Sequence, residues 1–212
     1  MSTGCPAGRH TSSNTGSMDT IELQYILNTS YMLRPLNAVV CAKNMLPHTR
    51  PSDVHAYIVN TDNASQPGEH WVAIFFQRNS VYYFDSYGLP PLEDYIRPFI
   101  QRNSRSYKHN PVQLQLGLLP VCGLYCIFAL DFLARDCDLD TILCLKFDPY
   151  PSQKNDEDVT LWFSRYYGQI FSKANSLPKD AGLCQCCLGH HAHGKETLMM
   201  RLQQPRFIVF NS

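Results

Sequence analysis

Cys122 follows Pro120-Val121 and opens an apolar run, Cys122-Gly123-Leu124-Tyr125-Cys126-Ile127-Phe128-Ala129-Leu130, that reads as a buried helix. A thiol in the first turn of a helix faces the positive end of the macrodipole and the unpaired backbone N–H groups, and both favour an anionic sulfur. Cys122 is therefore a candidate nucleophile. Two strand-like runs supply partners for it: His70 stands ahead of Trp71-Val72-Ala73-Ile74-Phe75-Phe76, and Asp85 stands behind Tyr82-Tyr83-Phe84. An imidazole can take the thiol proton, and a carboxylate can hold that imidazole in one tautomer and stabilise its positive charge. Each residue alone has an ordinary explanation. A cysteine in an apolar helix is usually packing, and Cys126, Cys137 and Cys144 are read that way; an aspartate at a strand end usually bonds its own backbone in a turn. Glu69 and Asp94 are rival acids, but Glu69 falls on the opposite face from His70 if the strand alternates.

The elements that must position these groups follow from periodicity and punctuation. A short helix over Thr20 to Leu27 is expected, capped by Asp19 or Thr20. Val39 to Ala42 and Ala56 to Asn60 read as strands, and so do His70 to Phe76 and Val81 to Phe84, joined through the polar turn Gln77 to Ser80. Leu92, Tyr95, Ile96, Phe99 and Ile100 recur at helical spacing after Pro90-Pro91. Val112 to Leu116 reads as one more strand. The helix from Cys122 to Arg135 is apolar nearly all round, which marks it as core, and two further helices are expected over Asp140 to Lys146 and Glu157 to Phe171. Without a βαβ rhythm the fold class is α+β: a small mixed or antiparallel central sheet packed against the buried helix that starts at Cys122, flanked by further helices.

The 212 residues suffice for one domain with a real core. Residues 1–18, rich in Ser, Thr, Gly and Asn, read as a disordered segment; 19–172 form the domain; 173–212 are a Cys/His-rich extension. Eighteen basic and eighteen acidic residues cancel, so no net field draws the whole molecule to nucleic acid or to an acidic membrane. No apolar stretch approaches the roughly 18 residues that a membrane helix needs. The first residues lack the apolar core of a signal peptide, so a reducing, intracellular setting is expected, and the nine irregularly spaced cysteines are expected to be mostly thiols.

Ile58-Val59-Asn60-Thr61, Pro67-Gly68-Glu69-His70-Trp71, Tyr83-Phe84-Asp85-Ser86-Tyr87-Gly88, Gln115 and Cys122-Gly123-Leu124-Tyr125-Cys126 come in the order and spacing of the adenovirus maturation protease, adenain. The set resembles the adenain-like proteases of Polinton/Maverick elements and related DNA viruses, from about Thr20 to Phe171. The resemblance implies a cysteine endopeptidase domain over 19–172, in the superfamily that also holds the SUMO-specific proteases. It implies His70 as base, Asp85 as acid, Gln115 as oxyanion-hole amide and Cys122 as nucleophile, with Gln113 the weaker candidate donor. Two departures stand out. SUMO proteases usually carry Asp directly before the nucleophile, where this chain has Val121, and the best-known adenoviral enzymes use Glu where this chain has Asp85.

The implied substrate is a polypeptide, a viral or element-encoded capsid or core precursor, cleaved in the nucleus or the virion particle. No cofactor is required for the chemistry, although a short peptide or DNA can act as activator in such enzymes. Arg97, Arg102, Arg105 and Lys108 are a modest basic cluster, read as a solvated face before a DNA contact. The rivals are a SUMO or ubiquitin-like-protein isopeptidase on the same frame and a non-catalytic nucleic-acid or virion-binding module. In the tail, Cys184, Cys186, Cys187, His190, His191 and His193 are the candidate metal ligands. Thiolates and imidazoles suit Zn²⁺, but the spacing lacks the usual separated pairs, so an incidental cluster is the favoured reading and a zinc site the alternative. Phe207 to Phe210 is a short apolar run fit to dock on the body or a partner.

Overall fold

The computed structural model describes residues 18–77 and 80–176. Five strands form one mixed sheet whose spatial order equals its sequence order. They are β1 (Val39–Ala42), β2 (Ala56–Asn60), β3 (Trp71–Gln77), β4 (Ser80–Phe84) and β5 (Ser106–His109). The central pairs β2–β3 and β3–β4 are antiparallel, and the outer pairs β1–β2 and β4–β5 are parallel. Five α-helices accompany them among the described residues: α1 (Thr20–Thr29), α2 (Ile96–Asn103), α3 (Cys122–Ala134), α4 (Leu139–Lys146) and α5 (Gln153–Ala174). The α+β expectation holds, with a mixed sheet against the helix that begins at Cys122.

Both faces of the sheet are covered, which is why its central strands read as continuous apolar runs instead of alternating with polar residues. Ala56, Ile58, Ala73, Phe75 and Phe84 join the core formed with α1, α3 and α5. Their neighbours Tyr57, Val59, Val72, Ile74 and Tyr83 point the other way, into a second core closed by Ile96, Phe99 and Ile100 of α2. Helix α3 is apolar around its circumference because the sheet takes one side and other helices take the rest. Its one buried carboxylate, Asp131, is satisfied by Arg135 at 2.9 and 3.2 Å and by the Tyr167 hydroxyl of α5. Helix α1 starts in a reciprocal capping box: Asp19 accepts from the Glu22 N–H at 2.8 Å, and Glu22 accepts from the Asp19 N–H at 2.9 Å.

Several boundaries differ from expectation. Residues 112–116 form no strand; after Pro111 the chain runs irregularly, and the backbone N–H groups of Leu114 and Gln115 both donate to the Ser86 carbonyl. The fifth strand is instead Ser106–His109, a polar edge strand whose composition carries no apolar alternation. Helix α2 begins at Ile96, not Leu92, and keeps Pro98 within its first turn, where no intrahelical N–H is required. Helix α5 reaches from Gln153 to Ala174, longer at both ends than expected. Cys126 is core packing as expected, whereas Cys137 is half-buried and Cys144 exposed, because they flank and lie on the short surface helix α4. All five described cysteines are free thiols. Residues 1–17, the turn positions 78 and 79, and the tail from 177 lie outside the described residues, so the readings of the N-terminal segment and of the Cys/His cluster carry no structural account.

Candidate active site

His70 is the residue just before β3, and Asp85 is the residue just after β4. Because β3 and β4 pair antiparallel, with Ala73 opposite Phe84, the start of one lies beside the end of the other. A ladder of regular geometry therefore brings two residues fifteen positions apart to one sheet end, where His70 Nε2 meets Asp85 Oδ1 at 2.8 Å. The same Oδ1 accepts the Tyr87 backbone N–H at 2.8 Å, and the Tyr87 ring lies over the imidazole with centroids 4.6 Å apart. Asp85 is 3% exposed. Asn110, just beyond β5, accepts from the Asp85 N–H at 2.9 Å and donates to the Asp85 carbonyl at 2.7 Å, so the acid's backbone is pinned as well as its side chain.

Cys122 opens α3 against this pair and is 6% exposed. With Nε2 engaged by Asp85, Nδ1 is the ring nitrogen left for the sulfur. Burial opposes protonation of His70, but hydrogen bonds to Asp85 and Cys122 outweigh it and push the imidazole up to about 9. The backbone N–H groups of Cys122 and Gly123 have no backbone acceptor among the described residues, as expected at a helix start.

Gln115 is 1% exposed, in the irregular stretch between Pro111 and α3. Its Oε1 accepts from the Ser86 hydroxyl at 2.8 Å and its Nε2 donates to the Leu119 carbonyl at 2.7 Å. Asn155 at the start of α5 donates to the carbonyl of Leu114 at 3.2 Å and to those of Asp148 and Tyr150 at 3.1 Å each. Gly88, at φ +68°, lets the stretch approach: a Cβ there would lie 2.6 Å from the Val112 carbonyl carbon.

The fold is shared with a protease of known structure. A crystal structure of the ASFV pS273R protease matches with a TM-score of 0.51 at 14% identity, over 73% of this chain and 68% of that one. A second, selenomethionine crystal structure of the ASFV pS273R protease matches at 20% identity with a TM-score of 0.39, over 56% of this chain and 45% of that one. At these identities the likeness to the ASFV pS273R protease is one of fold. No family model and no curated protein matches the chain in sequence.

A pocket of about 250 Å³ opens beside the sulfur, lined among others by Met18, Asn60, Asn63, Glu69, Trp71 and Cys122. Trp71 is fixed by donating its indole N–H to the Met18 carbonyl at 3.1 Å. Asp19 and Glu69 belong to the lining, and among the described residues no Lys, Arg or His borders it; the Asn63 side-chain oxygen is buried without a partner among the described residues.

All four sequence-derived residues thus fall in one region: His70 bonded to Asp85, Cys122 beside the His70 imidazole, and Gln115 in the stretch leading to Cys122 and bonded to Ser86 next to the acid. The rival acid Asp94 is instead paired with Lys43 at 2.8 Å, and Glu69 is exposed at the pocket rim. Gln113 is exposed and donates to the Gln115 carbonyl at 2.9 Å. The basic cluster is dispersed along α2, β5 and the loop between them: Arg97 pairs with Glu93 and Arg102 donates to the His48 carbonyl at 3.3 Å. Sequence reasoning did not single out Ser86, Asn110 or Asn155. A polar residue beside a motif residue or at a strand or helix end was the available signal, but such residues are common in turns. Among the described residues no group of three or more His, Cys, Asp or Glu side chains is arranged for a metal, and no helix is long and apolar enough to cross a membrane.

Proposed function

We propose that this chain is a cysteine endopeptidase whose nucleophile is Cys122. The observation that carries the reading is the imidazole of His70, bonded through Nε2 to the buried Asp85 carboxylate, with the Cys122 thiol at a helix N-terminus close enough to help hold its proton. In the proposed reaction His70 Nδ1 holds the thiol proton while the sulfur attacks the scissile carbonyl. The oxyanion is stabilised by the Cys122 N–H and the Gln115 carboxamide, and loss of one such donor typically costs about 3 kcal/mol of transition-state stabilisation. His70 then protonates the leaving amine, and water, deprotonated by the same imidazole, releases the acid product. Asp85 keeps the tautomer that leaves Nδ1 free.

The polypeptide is proposed to bind across the pocket beside Cys122, along the lining that Trp71, Glu69 and Asn60 supply. The order of motifs supports an adenain-like enzyme acting on structural precursor proteins of a virus or mobile element, in the nucleus or the particle, with a peptide or DNA as activator. Buried Val121 in place of Asp before the nucleophile supports that branch over a ubiquitin-like isopeptidase. The deciding experiment is mass spectrometry of a candidate capsid-precursor digest by the full chain, with the Cys122→Ala protein as control, in the presence and absence of DNA. Cleavage by the former alone is the expected result. Equal cleavage by both ends the proposal, and labelling of Cys122 by a reactive ubiquitin-like probe would move it to the isopeptidase.

A further inference from the structure

A carboxamide is nearly symmetric in shape and opposite in chemistry at its two ends. Flipped by half a turn, Gln115 would present a lone pair where the oxyanion-hole role requires an N–H. The side chain is buried, so its neighbours decide its orientation. On one side stands the Leu119 carbonyl, 2.7 Å away, which accepts and cannot donate; the amino group must face it. Oε1 then faces Ser86 Oγ at 2.8 Å, and the hydroxyl must be the donor. One Nε2 hydrogen is spent on Leu119 and the second remains.

Ser86 also holds the other end of the residue. Its carbonyl accepts the backbone N–H groups of Leu114 at 2.9 Å and Gln115 at 3.1 Å. Ser86 is itself 1% exposed, in the turn that follows Asp85, so the turn bearing the acid also bears a clamp on the amide. Leu119 alone would hold Nε2 but leave Oε1 buried and unpaired, a state that favours rotation or loosening of the side chain.

We propose that Ser86 is a positioning residue for the oxyanion hole: its hydroxyl, by donating to Gln115 Oε1, keeps the second Nε2 hydrogen directed at the reacting carbonyl. This rests on the cysteine-peptidase reading above. The effect is confined to the transition state, because only there does the carbonyl oxygen carry the charge that the amide meets.

The test is steady-state kinetics of the full chain on a peptide that the wild type cleaves and Cys122→Ala does not, with Ser86→Ala, Ser86→Thr, Gln115→Ala and the double variant Ser86→Ala/Gln115→Ala. Ser86→Ala is expected to lower kcat about tenfold with KM within about twofold, and Ser86→Thr to recover most of the loss. The double variant should match Gln115→Ala alone, because the hydroxyl has nothing left to orient. The alkaline limb of the pH–rate profile should not move. An unchanged kcat in Ser86→Ala, a loss that persists in full on the Gln115→Ala background, or a shifted limb, which would place the effect on Asp85 and His70, each overturns the inference and leaves the enzyme standing. A wild type no more active than Cys122→Ala removes both.

Discussion

The two halves of the candidate site are built by different means. His70 and Asp85 sit at one end of the β3–β4 ladder, and their meeting follows from antiparallel register between two runs that are buried on both faces. Gln115 sits in a stretch with no ladder or helix of its own, held by Ser86, by Asn155 and by the space that Gly88 leaves. The base and acid thus inherit precision from a repeating backbone pattern. The amide gets it from single side chains, each of which can be removed without unmaking an element. The ladder half should therefore fail through chemistry, and the irregular half through local stability and alignment.

The largest expected effect is on the ladder side. Asp85→Asn keeps the shape and removes the charge, and kcat/KM on a cleavable peptide should drop roughly 10² to 10³-fold. With burial still opposing protonation of His70 and the Asp85 partner lost, the alkaline limb should move down from about pH 9. A limb that stays in place would remove Asp85 from the tautomer role. On the irregular side, Gly88→Ala forces a side chain into left-handed backbone and against the Val112 carbonyl, and should cost about 3 kcal/mol or more in denaturant unfolding. Asn155→Ala should follow at about 2 to 3 kcal/mol, because it strands the Leu114, Asp148 and Tyr150 carbonyls. Its kcat should fall more than its KM rises. If Asn155→Ala destabilises the protein but leaves kcat intact, the stretch bearing Gln115 is held by Ser86 alone, and the contrast between the halves narrows.

A smaller effect concerns stability and pH. His70 reaches about 9 in the folded protein against an unperturbed value of about 6.5, so the folded state holds the proton more tightly. The stabilisation is fully present below about pH 6.5 and is lost as pH rises through about 9. The difference in unfolding free energy between wild type and His70→Gln should accordingly shrink between pH 6 and pH 9.5; a constant difference would mean that the imidazole is not stabilised in its charged form. The smallest effect is expected at the edge strand. Lys108→Thr on exposed β5 should change stability by no more than about 0.5 kcal/mol.

The legibility of the molecule follows the same division. Strands β1 to β4 and helix α3 are readable because burial on two sides leaves unbroken apolar runs, and α1 because Ile21, Leu23, Ile26 and Leu27 follow a capping residue at Asp19 or Thr20. Strand β5 was missed because Ser106–His109 is a polar edge with no alternation to detect. The stretch 112–116 was misread as a strand because Val112, Leu114 and Leu116 alternate with Gln113 and Gln115. That alternation is real, but Ser86 takes the backbone N–H groups that a ladder would use. Cys144 shows a related failure: neighbouring Leu residues suggest core, while α4 is short and presents Cys144 and Leu145 to solvent.

By itself, the order of residues determined which chemical groups are available and which elements carry them: a thiol at a helix start, an imidazole ahead of one strand, a carboxylate behind another, and a carboxamide between. These follow from local rules of periodicity, capping and residue type, which act over a few positions of chain. Only the tertiary structure decided which nitrogen of His70 faces the acid, which acid it is, and which way Gln115 points. Those choices depend on Asn110, Ser86, Leu119 and Asn155, partners 4 to 41 positions away from the groups they hold, and a hydrogen bond over that separation exists only once the backbone has closed around it.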